Sequence, residues 1–339
     1  MSHASTTPHN QHMVLAARPQ GPLKVDDFAL QDASMPNLEG NDVVIETHYL
    51  SLDPAMKGWI EARVDYVAPV EIGDVMRGQG GGIVIESSKP EYPVGLQVTG
   101  QFGWRRYVAG TRRSLGLAPV PEGIELCAAL NVLGITGLTA YFGMLDIGKP
   151  ARGDTVLISG AAGATGSVAG QLARIAGARV IGIAGGEEKC AWLMDTLEFE
   201  AAIDYKNEDV SARVAELCGE GIDVYFDNVG GDILDIALDN LAQNARVVLC
   251  GGISRYNETG PIPGPVNYFN LIYRNARMEG FIVLNYLKRF PEAITFLTQH
   301  LLDGRLKHRE TITQGFEQLP VALASLFTGG NTGKALVAV

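Results

Sequence analysis

The chain has 339 residues, enough for two medium domains, and its 46% hydrophobic and 19% charged residues are typical of a globular enzyme. A formal net charge of −11 without any run of Lys or Arg argues against a nucleic-acid partner, because binding to a phosphate backbone needs a cationic surface. The sequence contains no segment of about 20 apolar residues, and no apolar leader follows the polar residues at its start. We therefore expect a cytoplasmic protein with no membrane span and no signal peptide.

The cysteines and histidines do not form a metal-binding pattern. Cys127, Cys190, Cys218 and Cys250 lie far apart, and each falls in an apolar or helical stretch, which favours reduced, buried thiols over disulfides. Zinc sites need Cys or His ligands at short spacings. Cys127 has no His or Cys near it in the sequence, and His48 is alone in its predicted strand. We therefore expect no metal.

The first part of the chain predicts a β domain. Residues 1–12 are polar, with irregularly spaced histidines, and predict a disordered tail. From residue 13 to about 121, short predicted strands such as 42–47 and 82–86 alternate with turns rich in Gly, Pro and Asp. Helical periodicity is scarce there, so a small barrel-like β domain is expected.

After Glu122 strands and helices alternate. Helices are predicted from Leu126 and from Thr136, and later at 167–176 and 187–197. Buried strands are predicted at 154–159, 179–184, 201–203, 222–227, 245–250 and 278–283. This succession predicts a parallel, doubly wound sheet. The segment beyond Gly304, which ends in a strand at 335–339, is expected to complete the first domain. The predicted domains are therefore 13–130 with 305–339, and 131–304.

A glycine-rich turn stands between the first predicted strand of that sheet and its helix. Residues 160–166 read GAAGATG, a variant of the dinucleotide-binding fingerprint. Small residues let the backbone approach a pyrophosphate, whose charge is met by N–H groups and the helix dipole. We expect Gly163, Ala164, Thr165 and Gly166 to contact a dinucleotide; a tight turn without a ligand is the alternative.

The end of the second strand distinguishes NAD from NADPH. An acidic residue there would bind the ribose 2′-hydroxyl of NAD and repel a 2′-phosphate, but this chain has Gly185 and Gly186. The two glutamates that follow favour NAD when taken alone. Lys189 and Tyr205 are placed to reach a 2′-phosphate, although Lys189 could equally be a solvated helix charge. These residues favour NADPH.

Several segments, in order and spacing from about Ala16 to Val339, resemble the zinc-free medium-chain dehydrogenase/reductases. The resemblance is greatest to the branch of prostaglandin reductases, leukotriene hydroxydehydrogenases and alkenal double-bond reductases. Ala55 stands where animal and plant members often have Tyr, and Trp59 and residues 67–70 are more similar to bacterial members, including curcumin reductases. The segments are 49–54, 161–170, 182–185, 188–190, 225–231, 250–257 and 329–334.

The resemblance implies a GroES-like β-barrel domain, a Rossmann domain, a cleft between them and, usually, a homodimer. It also implies NADPH-dependent reduction of a carbon–carbon double bond conjugated to a carbonyl. By position, it assigns Lys189 and Tyr205 to the 2′-phosphate, and Asn228 and Asn331 to the nicotinamide end. Other residues expected at the cofactor or the substrate are Gly185, Ile253, Tyr256, Tyr66, Tyr49 and Trp59.

The expected chemistry needs a hydrogen-bond donor. Hydride delivery to the β-carbon of an enone places negative charge on the carbonyl oxygen, which a tyrosine hydroxyl or the nicotinamide ribose 2′-hydroxyl can stabilise in a dry pocket. Tyr256 is the candidate catalytic donor, because it follows the fifth strand at the carboxyl edge of the sheet. Tyr66 is a candidate for positioning the substrate, while Tyr49 lines the cleft or has a structural role.

Two other functions stay open on the sequence. A quinone reductase could use the same scaffold with a wider pocket, and a redox sensor could bind NADPH without catalysis. A secondary-alcohol dehydrogenase is disfavoured, because the metal that would polarise its substrate has no ligands in the sequence.

Overall fold

The computed structural model describes residues 9–61, 66–258 and 260–339. These residues form two compact units. The first contains the described residues up to Leu130, with Ile312–Leu326 and Ala335–Val339; the second contains Asn131–Thr311 and Phe327–Lys334. No helix in the described ranges is long and apolar enough to cross a membrane.

The units differ from the expected domain limits near the C-terminus. Residues 305–311 and 327–334 were expected in the first domain but belong to the second unit. Hydrogen bonds account for this difference, because Gly333 N–H donates to the Ala162 carbonyl at 2.7 Å and Lys307 N–H to Gln171 Oε1, also at 2.7 Å. Both acceptors belong to the second unit, one in the glycine-rich turn and the other in the helix that follows it.

Within the described residues, fifteen strands make up the sheets. They are β1 Asn10–Leu15, β2 Phe28–Ala33, β3 Val43–Leu52, β4 Gly80–Ser87, β5 Gln97–Gly100, β6 Tyr107–Gly110, β7 Ala118–Pro119, β8 Thr155–Ser159, β9 Arg179–Ala184, β10 Ala201–Asp204, β11 Ile222–Asp227, β12 Leu241–Leu249, β13 Arg277–Gly280, β14 Glu310–Gln314 and β15 Lys334–Ala338.

The two longest α-helices, Ala164–Ile175 and Phe290–Leu302, belong to the second unit. The α-helices of the described residues are α1 Met56–Trp59, α2 Arg112–Leu115, α3 Leu126–Asn131, α4 Ile135–Tyr141, α5 Ala164–Ile175, α6 Glu187–Ala191, α7 Val210–Leu217, α8 Gly231–Asp239, α9 Asn270–Tyr273, α10 Phe290–Leu302 and α11 Leu319–Ser325. Two of them continue as π-helical turns: α4 through Phe142–Gly148, and α6 through Trp192–Thr196.

The first unit is built on antiparallel β-structure. β1 pairs with β2, and a seven-stranded sheet has the order β14-β15-β3-β4-β5-β7, with β6 also paired to β3. Val43 and Ile45 of β3 pack with Val84 and Val98 of the neighbouring strands, all fully buried. Alternate side chains of each strand thus enter one apolar core, as strand geometry requires.

The second unit contains a six-stranded parallel sheet in the order β10-β9-β8-β11-β12-β13. Val156 and Ile158 of β8 enter one apolar core, while Leu157 enters the other. Both faces of the sheet are therefore covered, which explains the continuous apolar runs of its strands. The order reverses between β8 and β11, and this Rossmann topology places a ligand crevice at the carboxyl ends of these two strands. The predicted fold class is confirmed.

The structure differs from some of the local expectations. Residues 10–12, expected in a disordered tail, lie in β1, where Asn10 pairs with Ala33 of β2; the rest of that tail, up to residue 8, lies outside the described residues. The sixth parallel strand ends at Gly280 instead of continuing to 283. Its next residue, Phe281, packs beside Gly143, where a Cβ would approach the ring to 2.7 Å, so this side chain has a place in the core outside the strand.

Candidate cofactor and active site

The glycine-rich turn after β8 presents backbone N–H groups at the crevice. Gly160 has a φ of +58°, and Gly163 precedes the first turn of α5, which contains Ala164 and Thr165. A Cβ on Gly166 would lie 2.4 Å from the Gly160 carbonyl oxygen, so the helix start can pack against the turn only without a side chain there. The first N–H groups of an α-helix have no acceptor within the helix, and they bind anions readily. The turn therefore fits a pyrophosphate.

A buried carboxylate holds the two strands that flank the crevice. Asp227, which is 1% exposed, accepts hydrogen bonds from the Ser159 and Tyr225 hydroxyls at 2.8 Å each. Asn228 donates from Nδ2 to the Ser159 carbonyl at 2.7 Å, and its N–H donates to the Ser159 hydroxyl at 2.9 Å. These bonds fix Asn228 across the ends of β8 and β11, at the expected cofactor position.

Cys250 lies next to this carboxylate, and its N–H donates to the Asp227 carbonyl at 2.9 Å. Burial, with a smaller contribution from the Asp227 charge, raises the pKa of the Cys250 thiol to about 12. The thiolate is the reactive form of cysteine, so this shift disfavours a nucleophilic role for Cys250.

The side chains of Lys189 and Tyr205 meet beyond β9 and β10, and this polar group is called the Lys189–Tyr205 pocket. The Tyr205 ring packs against Gly185, where a Cβ would lie 2.7 Å from the ring. Lys189 donates from Nζ to the Gly329 carbonyl at 2.8 Å. A Cβ on Gly329 would lie 3.7 Å from the Tyr205 hydroxyl and 3.8 Å from Nζ of Lys189, so the two side chains meet around this glycine.

The charges around Lys189 are mixed. Burial and then the neighbouring Lys206 lower the pKa of the Lys189 ammonium, while Glu188 acts in the opposite direction. A half-buried ammonium close to a second cation favours an anionic ligand, because the anion replaces lost hydration and offsets the repulsion. The pocket therefore suits a phosphate group.

Asp204, the last residue of β10, was absent from the sequence-based candidates, although it sits directly before Tyr205. Its carboxylate accepts hydrogen bonds from Gly186 N–H at 2.7 Å, Lys206 N–H at 3.0 Å and Asn207 Nδ2 at 2.7 Å. Gly186 has a φ of +103°, a conformation suited to glycine. Asp204 thus orients the turn that ends β9 without pointing its charge at a ligand.

The loop after β12 brings Ile253 and Tyr256 to the crevice. Ile253 N–H donates to the Asn228 carbonyl at 3.2 Å. The Tyr256 hydroxyl accepts the Gly252 N–H at 3.4 Å, and a Cβ on Gly251 would lie 3.3 Å from this oxygen. The candidate catalytic hydroxyl is therefore held beside the residues that close the ends of β11 and β12.

The C-terminal loop reaches the glycine-rich turn. Asn331 donates from Nδ2 to the Gly333 carbonyl at 2.7 Å, and Gly333 forms a parallel β-bridge with Gly163. Asn331 is thus close to the start of α5. The second unit brings together, at the carboxyl ends of its strands, all of the predicted cofactor residues: Gly163, Ala164, Thr165, Gly166, Gly185, Lys189, Tyr205, Asn228, Ile253, Tyr256 and Asn331.

The first unit contains the other candidates. Trp59 Nε1 donates to the Tyr66 hydroxyl at 3.3 Å, and the Arg77 guanidinium lies 5.8 Å from the centre of the Trp59 ring. Arg77 is itself held by the Ala68 carbonyl at 3.0 Å. Trp59 and Tyr66 therefore form one local group in which an N–H orients the tyrosine oxygen.

Tyr49 lies apart from that group, in an open pocket of about 480 Å³ that also contains His48, Glu125 and Cys127. The Cys127 sulfur, then burial, and more weakly Glu125 raise the pKa of the Tyr49 hydroxyl. His48 and Cys127 share this pocket although they are distant in sequence. Within the described residues, no group of three or more His, Cys, Asp or Glu is arranged to hold a metal ion.

Two family profiles match the chain. One, described as the N-terminal domain of oxidoreductase, covers residues 11–116, and the other, described as zinc-binding dehydrogenase, covers residues 164–299. YfmJ of Bacillus subtilis is 41% identical, with 98% of each chain covered. The chain is a medium-chain dehydrogenase/reductase.

Further relatives identify the branch and the cofactor of this medium-chain dehydrogenase/reductase. The NADPH-dependent curcumin reductase of Escherichia coli is 36% identical, with 97% of each chain covered. Bovine prostaglandin reductase 1 is also 36% identical, over 92% of this chain and 93% of its own. The predicted family branch is confirmed.

A solved structure agrees with these relatives. CurA from Vibrio vulnificus in complex with NADPH is 38% identical, with a TM-score of 0.90 over 97% of this chain and 99% of that chain. The glycine-rich turn and the Lys189–Tyr205 pocket fit the same cofactor. This medium-chain dehydrogenase/reductase is an NADPH-dependent oxidoreductase, as predicted.

Proposed function

We propose that the enzyme reduces the carbon–carbon double bond of α,β-unsaturated ketones and aldehydes. The observation that carries this proposal is the Tyr256 hydroxyl, which lies beside Gly251 at the switch-point crevice and accepts the Gly252 N–H. A hydroxyl that accepts a hydrogen bond is polarised and becomes a better donor. The relationship to proteins named curcumin reductase and prostaglandin reductase supports the same reaction class.

The chain's own residues would hold the cofactor along the ends of the parallel strands. Ala164, Thr165 and Gly166, in the first turn of α5, present N–H groups to the pyrophosphate, and Gly163, whose own N–H donates to the Gly160 carbonyl, lets the backbone approach it. Lys189 and Tyr205 bind the 2′-phosphate, with Gly185 leaving room for the Tyr205 ring. We assign Asn228 and Asn331 to the nicotinamide end, and Ile253, whose N–H donates to the Asn228 carbonyl, to the same crevice.

NADPH, when bound, supplies the hydride for the β-carbon of the substrate. Tyr256 donates a hydrogen bond to the substrate carbonyl oxygen, where negative charge develops as the double bond is reduced. Tyr66, oriented by the indole N–H of Trp59, positions the substrate. Tyr49 lies in a separate pocket of the first unit, and its contact with the substrate stays a prediction.

Replacing Tyr256 tests the proposed donor. We expect Tyr256→Phe to lower kcat for a small enone by about 10- to 100-fold, because a transition-state hydrogen bond is lost, while the Kd for NADPH stays close to that of the native enzyme. NADPH oxidation is followed by absorbance, and cofactor binding by titration. Tyr268→Phe, an exposed tyrosine of the same unit, is the matched control.

The same assay separates the other functions. NADPH oxidation by the native enzyme with an enone, but not with a quinone, supports the proposal. Oxidation with quinones only would assign a quinone reductase, and NADPH binding without oxidation of either substrate would assign a sensor. An unchanged kcat in Tyr256→Phe would remove this residue from the mechanism.

We also propose that the enzyme is a homodimer that pairs through β13. This strand ends the six-stranded sheet, and the residues before it expose Ile272 and Tyr273, each 69% accessible. An exposed strand edge with an adjacent apolar surface is suited to pairing with a second copy.

A further inference from the structure

One feature of the 2′-phosphate pocket conflicts with NADPH on charge alone. Glu188 directly precedes Lys189, and its carboxylate lies close enough to raise the pKa of the Lys189 ammonium. A carboxylate next to the Lys189 ammonium repels a 2′-phosphate, although the Glu188 side chain is 77% exposed and solvent weakens this repulsion. A cation paired with Glu188 would therefore favour NADPH.

Arg309 supplies the opposite charge. Its Nη2 donates to Glu188 Oε1 at 2.6 Å, across 121 positions of sequence. The main chain of Arg309 is fixed, because its carbonyl accepts the Lys334 N–H at 2.9 Å. A Cβ on Gly333 would lie 1.8 Å from that carbonyl oxygen, so the two segments pack without a side chain between them. All of these residues belong to the second unit.

The same C-terminal loop also positions Lys189. The carbonyl of Gly329, four residues before Gly333, accepts a hydrogen bond from Lys189 Nζ. The loop thus holds Lys189 directly, and Arg309, on the segment bonded to it, holds the neighbouring Glu188. In this arrangement Lys189 is the cation for the 2′-phosphate, and Arg309 pairs with the competing carboxylate of Glu188.

We propose that Arg309 determines the preference for NADPH over NADH by neutralising Glu188. This inference rests on the proposed position of the 2′-phosphate at Lys189 and Tyr205. The Asp204 carboxylate needs no such cationic partner, because three hydrogen-bond donors already satisfy it. Arg309 acts through Glu188 and is a positioning residue rather than a direct ligand of the phosphate.

A double-mutant cycle tests the proposal by direct titration of NADPH and NADH. In Arg309→Met, which keeps much of the apolar stem, we expect the Kd for NADPH to rise about 3- to 10-fold and that for NADH to change less than about 2-fold. In the double variant Arg309→Met/Glu188→Gln, the Kd for NADPH should return to within about 2-fold of the native value. The loss in Arg309→Met should shrink as salt is added, because exposed charges are screened.

Two outcomes would overturn the role of Arg309. A double variant as weak as Arg309→Met would mean that Arg309 acts without Glu188, and unchanged NADPH binding in Arg309→Met would mean that it does not act at all. Lys189→Met distinguishes these failures from failure of the pocket itself. If it weakens NADPH binding, the 2′-phosphate position stands whatever Arg309 does. If it does not, both the position and the role of Arg309 are wrong.

Discussion

The turn that ends β9 depends on the Asp204 carboxylate. Asp204 is 8% exposed, and its three hydrogen bonds come from Gly186, Lys206 and Asn207. The Gly186 N–H makes the largest contribution to lowering the pKa of this carboxyl group. Bonds of this kind stabilise the ionised form, so the carboxylate links proton binding to folding.

Stability should therefore depend on pH through Asp204. A carboxyl whose folded-state pKa is lowered stabilises the fold above its unfolded pKa, about 3.9, and loses this contribution as the pH falls through the folded value. We expect the native enzyme to exceed Asp204→Asn in urea midpoint near neutral pH, and the difference to shrink on acidification below about pH 4. Asp195→Asn, at an exposed position, is the control. A difference that stays constant across this range would contradict the linkage.

Some residues of the Lys189–Tyr205 pocket and its surroundings can be predicted from the sequence, and others cannot. Lys189 and Tyr205 are recognisable because each follows the end of a strand, and parallel strands end at one edge of the sheet. Arg309 is not recognisable, since it meets Glu188 only through a contact 121 positions apart. Asp204 could have been identified, because an acidic residue that ends a buried strand needs hydrogen-bond donors.

At the scale of the elements, α5 packs closely against its neighbours. A Cβ on Gly170 would lie 2.0 Å from the Phe199 ring, which is itself 4% exposed. The third glycine of the phosphate-binding turn and Gly170 are four positions apart, so both fall on one face of the helix. The packing against Phe199 thereby fixes the position of α5, whose first turn lies at the crevice.

A methyl group at Gly170 should destabilise this element. We expect Gly170→Ala to lower the free energy of unfolding by about 1–3 kcal/mol, because the Phe199 ring must move in a close-packed core. The measurement is a shift of the denaturation midpoint. Gly58→Ala is the matched control, since Gly58 is also helical and has open space around its Cβ position. Equal effects of the two substitutions would exclude overpacking as the cause.

The first and last residues of a strand can be predicted from the sequence where nearly all of its side chains are buried. The predicted strand 222–227 coincides with β11, whose side chains are nearly all buried. The strand predicted at 42–47 extends to Leu52, because pairing with β15 continues it beyond its apolar run. The last parallel strand is shorter than predicted, since Phe281 leaves it for a site beside Gly143. Long-range packing decides these ends, and no local pattern encodes it.

At the scale of the molecule, the edge strand β13 carries charges that suit a second copy. Arg277 and Glu279 flank Met278 on this strand. If two copies of β13 pair antiparallel about Met278, each Arg277 lies opposite the partner's Glu279. Such an interface is isologous, and a single surface is complementary to itself.

Charge reversal tests this pairing. Glu279→Arg places like charges opposite each other twice in the dimer, so we expect its dissociation constant to rise at least about 10-fold. The double variant Arg277→Glu/Glu279→Arg restores opposite charges and should dimerise again. Analytical ultracentrifugation over a concentration series measures both, with Glu220→Arg, an exposed change elsewhere in the same unit, as the control. A monomeric native enzyme at every concentration, or a double variant that stays dissociated, would rule out pairing through this edge.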